Sequence, residues 1–176
     1  MLQRPHPPSA RADDEPDRQR RAVGLSLLAG IFATAFSGRL FASTDDRPSA
    51  NKAIEVWTGP SCGCCKEWVK HLQENGFEVL SHEGGNSEAR KRLGMPAKYG
   101  SCHTAEISGY AVEGHVPARE IHRLVEESPD AIGISVPAMP RGSPGMDGAA
   151  YNNVQDPYDV LLVSRDGSAS VFQSYR

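Results

Sequence analysis

The chain has 176 residues, 39% of them hydrophobic, and a formal net charge of −3, which is enough for one domain with a real core. It carries neither a basic stripe nor aromatic residues interleaved with basic ones, so nucleic acid is not an expected partner. A phosphate-binding glycine loop, His-x-x-x-His spacing and a framed carboxylate pair are all missing, which removes the phosphoryl-transfer, zinc-protease and paired-carboxylate chemistries.

Residues 1–21 are rich in Pro, Arg and Asp without apolar periodicity and read as a disordered leader. The basic run Arg18-Gln19-Arg20-Arg21 and the apolar run Ala22 to Phe36 then form the n-region and h-region of a signal peptide. The apolar run is shorter than the roughly 20 residues a spanning helix needs. Phe41-Ala42-Ser43 offers cleavage near residues 42–43, and Arg20-Arg21 hints at twin-arginine export. An uncleaved membrane anchor is the alternative. Residues 1–42 are thus expected to be a signal peptide with its leader, 43–52 a polar linker, and 53–176 a domain working in the periplasm.

Ile54-Glu55-Val56-Trp57 alternates as a strand over 53–58. Gly59-Pro60-Ser61 turns the chain, and Cys65, Trp68, Val69 and Leu72 give the apolar stripe of a helix over about 63–75, stopped by Gly76. Phe77 to His82 reads as a second strand, and Asn86-Ser87 can cap a short helix that ends at Gly94 and Pro96. Strands near 103–107 and 110–113 meet at Ser108-Gly109, a tight hairpin. Pro117 opens a helix with Ala118, Ile121, Leu124 and Val125 inward. Val136 to Asp147, with three prolines and two methionines, cannot be a regular element. Tyr158–Val163 and Ala169–Gln173 close the chain as a hairpin around Asp166-Gly167. The order β-α-β-α-β-β-α predicts an α/β, thioredoxin-like domain carrying a C-terminal proline/methionine loop and an extra β-hairpin.

The chemistry concentrates in Cys62-Gly63-Cys64-Cys65, at a strand-to-helix turn where the helix N-terminus favours thiolate over thiol. Cys62 and Cys65 alone form a C-x-x-C, the spacing of thiol–disulfide exchange. Cys64 inside it crowds three thiolates together, a repulsion that a soft cation relieves: Cu(I), zinc or an iron–sulfur cluster. A plain stabilising disulfide is the bland alternative. In this topology the residue before the third strand faces the C-x-x-C, and Ser101-Cys102-His103 stands there, which adds a fourth sulfur. His103 is a ligand, a supporting group, or a strand residue turned away. His115 is a further ligand candidate or a helix-entry residue. Met139 and Met146 carry thioethers that suit Cu(I), or fill core gaps. His71 is expected to be solvated, and His82, His122 and Met95 to be surface or packing residues. Trp57, Trp68 and Tyr110 are expected to pack around the site.

G-P-S-C-G-C-C-K-E-W, Y-G-S-C-H-T-A, G-Y-A-V-E-G-H-V-P-A, V-P-A-M-P-R-G-S-P-G-M and Y-D-V-L-L-V resemble, in order, the CopG-type copper-resistance proteins. These are periplasmic, thioredoxin-like metal-binding proteins of Gram-negative bacteria. The resemblance covers residues 53–174. It implies copper held by Cys62, Cys64, Cys65 and Cys102, as several Cu(I) ions in a thiolate cluster, with copper redox chemistry; zinc is the lesser candidate. Copper ions and other periplasmic copper-handling proteins would be the partners, with no membrane contact beyond the signal or anchor. Ala138 departs from the pattern, standing where the methionine loop usually has glycine. A periplasmic thiol–disulfide oxidoreductase using Cys62 and Cys65 is the alternative function.

Overall fold

The computed structural model describes residues 52–176. The expected signal peptide and nearly all of the linker lie outside the described residues. Strand β1 (Ala53–Thr58) leads through the cysteine turn into α1 (Gly63–Glu74), β2 (Glu78–Glu83) and α2 (Ser87–Arg92). Then come β3 (His103–Ile107), β4 (Tyr110–Glu113), α3 (Ala118–Glu127) and β5 (Gly133–Ser135). An irregular stretch precedes the closing pair, β6 (Tyr158–Val163) and β7 (Ala169–Tyr175). All strands join one sheet in the order β2-β1-β3-β4-β5-β6-β7. No helix among the described residues is long and apolar enough to cross a membrane.

The connections dictate the pairing directions. Helical crossovers make β1–β2 and β4–β5 parallel, and the remaining neighbours are antiparallel. The two-residue turn between β3 and β4 puts both Ser108 (φ 49°) and Gly109 (φ 81°) at positive φ, the conformation whose twist matches the hairpin.

Alternation along β4 separates the two faces. Val112 belongs to the main core with Ile54, Val56, Trp68, Leu72, Ile121 and Leu124, whereas Ala111 joins a smaller cluster with Met95 and Val163. Helices α1 and α3 therefore cover one face. They are locked together where Trp68 Nε1 donates to the Val116 carbonyl (2.8 Å) and the Phe77 ring stacks on His122. Each fully buried side chain of this size contributes roughly 1.5–3 kcal/mol.

Three expectations need correction. Strand β5 is absent from the sequence reading because its three residues are buried throughout and show no alternation. A Cβ at Gly133 would strike the Ala111 carbonyl, so only glycine lets this strand close on β4. Trp57 does not pack at the cysteines: the two-residue period that buries Val56 and Thr58 turns Trp57 to the other face. There it stacks on His82 beneath Arg92. His71 is not solvated; its Nε2 accepts the Ala118 N–H at 3.0 Å, capping α3, whose own N-cap residue, Pro117, makes no side-chain cap.

Candidate metal centre

Cys62 is the N-cap of α1, held in the turn by its N–H to the Gly59 carbonyl. In the structure Cys62 and Cys65 form a disulfide, with Cα atoms 5.3 Å apart, while Cys64 and Cys102 are free and half-buried. Cys64 Sγ lies 3.5 Å from Cys62 Sγ. Cys65 is fully buried and its sulfur faces the Cys102 carbonyl at 3.9 Å. Cys102 arrives because β1 and β3 are antiparallel neighbours: Thr58, which leads into the turn, pairs with His103. All four Sγ atoms consequently lie within 4.8 Å of one another.

Cys102 belongs to a second group. Its sulfur is 3.3 Å from His103 Nδ1 and 3.1 Å from His115 Nε2, and these three ligand atoms again fall within 4.8 Å. The far nitrogen of each ring meets a carbonyl: His103 Nε2 reaches Gly114 O at 2.8 Å, and His115 Nδ1 reaches Pro144 O at 2.8 Å. Carbonyls only accept, so those nitrogens carry the protons and the bare ones point at the sulfur. Burial, with the neighbouring His115, drives His103 down to about 3, and burial also holds His115 below its ordinary value. Burial, then the charge of Cys64, pushes the Cys102 thiol up to about 12. Without metal the site is two neutral imidazoles and one thiol. That thiol has a single proton for two facing lone pairs, a donor set that a cation completes.

Residues 99–146 match the family described as "Protein of unknown function, DUF411". That span takes in Cys102, His103, His115, Met139 and Met146 but stops short of the cysteine turn. No curated protein matches the chain. Two solved structures are similar, "Copper resistance protein copG- Form 1" and "Copper resistance protein copG- Form 2". Each is 48% identical with a TM-score of 0.65 and covers 70% of this chain, and the match takes in 96% and 98% of their own lengths. This chain belongs to the CopG-type copper-resistance family.

In this CopG-type chain the two methionines of the loop sit differently. Met146 is buried, and its neighbours Gly145 and Asp147 form one wall of a cleft of about 440 Å³ that also holds Cys64, Glu67 and Tyr151. Gly145 (φ +81°) lies so close to α1 that a Cβ there would be 2.6 Å from Cys64 O and 2.8 Å from Trp68 N. Met139 is half exposed over a separate groove with Pro137, Pro140 and Tyr158, whose walls carry no cysteine or histidine among the described residues. Trp68 packs on His103 with ring centroids 4.2 Å apart, as a residue expected to shield the site should. Tyr110 packs at the far end of β4, its hydroxyl donating to Pro129 O. The sequence reading passed over the carbonyls of Gly114 and Pro144. A glycine 11 residues beyond His103 and a proline 29 residues beyond His115 give no local signal.

Proposed function

We propose that this protein handles copper in the periplasm, holding Cu(I) on the thiolates of Cys62, Cys64, Cys65 and Cys102, with His103 and His115 completing the site around Cys102. The observation that carries the reading is the double membership of Cys102, whose sulfur joins the four-sulfur group and also faces two imidazole nitrogens bare of hydrogen. Thiolates select Cu(I) over harder cations, and imidazole serves both copper oxidation states. Kinship with proteins described as conferring copper resistance supports copper over zinc. The arrangement β1-α1-β2 followed by β3-β4-α3, with the cysteines at the first turn, supports a thioredoxin-like domain, to which the loop and the β6–β7 hairpin are additions. A cluster of several copper ions fits the four converging sulfurs, and Met146 is the better placed of the two thioethers.

The Cys62–Cys65 disulfide gives this reading a redox side. Two thiolates that close into a disulfide release two electrons, which reduce two Cu(II) to two Cu(I); reopening the bond by two electrons restores both ligands. The same bond, with Cys64 3.5 Å away, favours thiol–disulfide exchange as the second reading. Anaerobic titration of the reduced protein with Cu(I) against a strong chelator separates them. Tight uptake of more than one copper per chain, lost in Cys102→Ser, is the expected result. Uptake no better than the chelator's, with insulin-type disulfide reduction surviving Cys64→Ser, would replace copper handling by exchange.

A further inference from the structure

Behind the cysteines, on the opposite face of the sheet, the carboxylate of Glu113 is completely buried at the end of β4. Its Oε1 accepts from Arg90 Nε (3.0 Å), Arg90 Nη2 (2.7 Å) and the Ser101 N–H (2.6 Å), and its Oε2 from Thr104 Oγ1 (2.7 Å). Arg90 Nη2 also donates to the Ser101 carbonyl at 2.6 Å, which Asn86 Nδ2 reaches at 3.1 Å. Ser101 Oγ donates to Ala138 O in the methionine loop. Ser101, the residue before Cys102, is thus held at its N–H, its carbonyl and its hydroxyl.

The same anchor reaches the histidines. Gly114 follows Glu113 directly; its carbonyl accepts from His103 Nε2 and its N–H donates to His103 O. A Cβ at Gly114 would lie 2.7 Å from Ser101 Cβ, so glycine is what lets these two segments approach. His115 is the next residue. A buried ion pair is a poor way to gain stability, since apolar residues of similar volume often serve as well. Its fixed hydrogen-bond directions set geometry.

We propose that Glu113, together with Arg90, is the positioning pair of the metal centre. It clamps Ser101 and the Gly114–His115 segment so that Cys102 Sγ stands between the two imidazole nitrogens and the cysteine turn. Neither side chain touches the metal. The inference rests on the reading of Cys102 as a copper ligand.

Two variants of the full mature protein test it: Glu113→Gln, and the uncharged pair Arg90→Met/Glu113→Leu, which leaves no lone buried charge. Each is checked by circular dichroism, titrated anaerobically with Cu(I) against a chelator, and alkylated while reduced and metal-free, with Cys102 and Cys64 quantified separately. A folded variant should bind Cu(I) about 10- to 100-fold more weakly, the usual loss when a group supporting a ligand is removed. Its alkylation at Cys102 relative to Cys64 should also rise. Lost stability alone would expose both cysteines alike and leave that ratio where it was. Unchanged affinity and ratio in a folded variant overturn the proposal. Should Glu113→Gln not fold, the uncharged pair decides; should neither fold, the network is structural and the proposal falls. A wild-type protein that takes up no copper refutes the copper reading instead, and the alkylation ratio alone then judges the clamp.

Discussion

Gly145→Ala is the sharpest single perturbation of the site that leaves every candidate ligand unsubstituted. The added Cβ would sit 2.6 Å from Cys64 O and 2.8 Å from Trp68 N, both backbone atoms in the first turns of α1 that cannot swing aside. Ordinary contact needs about 3.5 Å, so the loop must withdraw by roughly 0.7–1 Å. Pro144 moves with it, and its carbonyl, now 2.8 Å from His115 Nδ1, passes beyond hydrogen-bond range. A left-handed alanine costs about 1–2 kcal/mol, and the lost hydrogen bond about 1 kcal/mol more. Urea unfolding of the reduced, metal-free protein should show a loss of about 2–3 kcal/mol, short of the 5–15 kcal/mol that typically holds a domain. Imidazole nitrogen NMR should show His115 released from its single tautomer, and Cu(I) affinity should fall. A variant within about 0.5 kcal/mol of wild type, with His115 still protonated at Nδ1, would refute the argument.

Ala138 holds φ +62° in the same loop, its carbonyl fixed by Ser101 Oγ. Ala138→Gly relieves the left-handed strain at some entropic cost, and should raise the urea midpoint by a net gain of up to about 1 kcal/mol; a lower midpoint would contradict it. Burial holds His71 below its ordinary pKa, against the opposing charges of Asp147 and Glu74. The unfolded chain therefore binds more protons than the folded one below about pH 6.5. This contribution to stability is complete above that pH and is lost below it, at up to about 1.4 kcal/mol per pH unit. His71→Gln should flatten the stability curve between about pH 6.5 and 5, measured on metal-free protein. A slope equal to wild type's would mean that folding does not lower the His71 pKa, and would refute the argument.

What the sequence made legible was whatever repeats at short range. The alternation of Ile54, Val56 and Thr58, the helical stripe of Cys65, Trp68 and Leu72, and the Ser108-Gly109 turn each carry their structure within a few residues. The meeting of Cys102 with the cysteine turn was readable too, because a parallel β1–α1–β2 unit followed by a hairpin leaves few places for β3. What stayed hidden depends on partners far along the chain. Glu113 meets Arg90 across 23 residues, and nothing in Tyr110-Ala-Val-Glu113 marks its last residue as buried. Likewise, a histidine two turns along α1 gives no sign that it will cap a helix 47 residues later.

The cysteines are unevenly spread. Cys62, Cys64 and Cys65 share one turn of chain, whereas Cys102 stands 37 residues beyond Cys65, and the imidazoles follow it. Unfolding scatters the second set but leaves the first together, so a reduced, unfolded chain still offers a soft cation three neighbouring sulfurs. A bound ion stabilises a fold only by the excess of its affinity for the folded form over the unfolded one. With the ligand set proposed above, that excess would come from Cys102, His103 and His115, whatever the total affinity. An ion can then be held very tightly and still raise the melting temperature little, and a chain that meets it before β3 has formed begins folding with the metal already aboard.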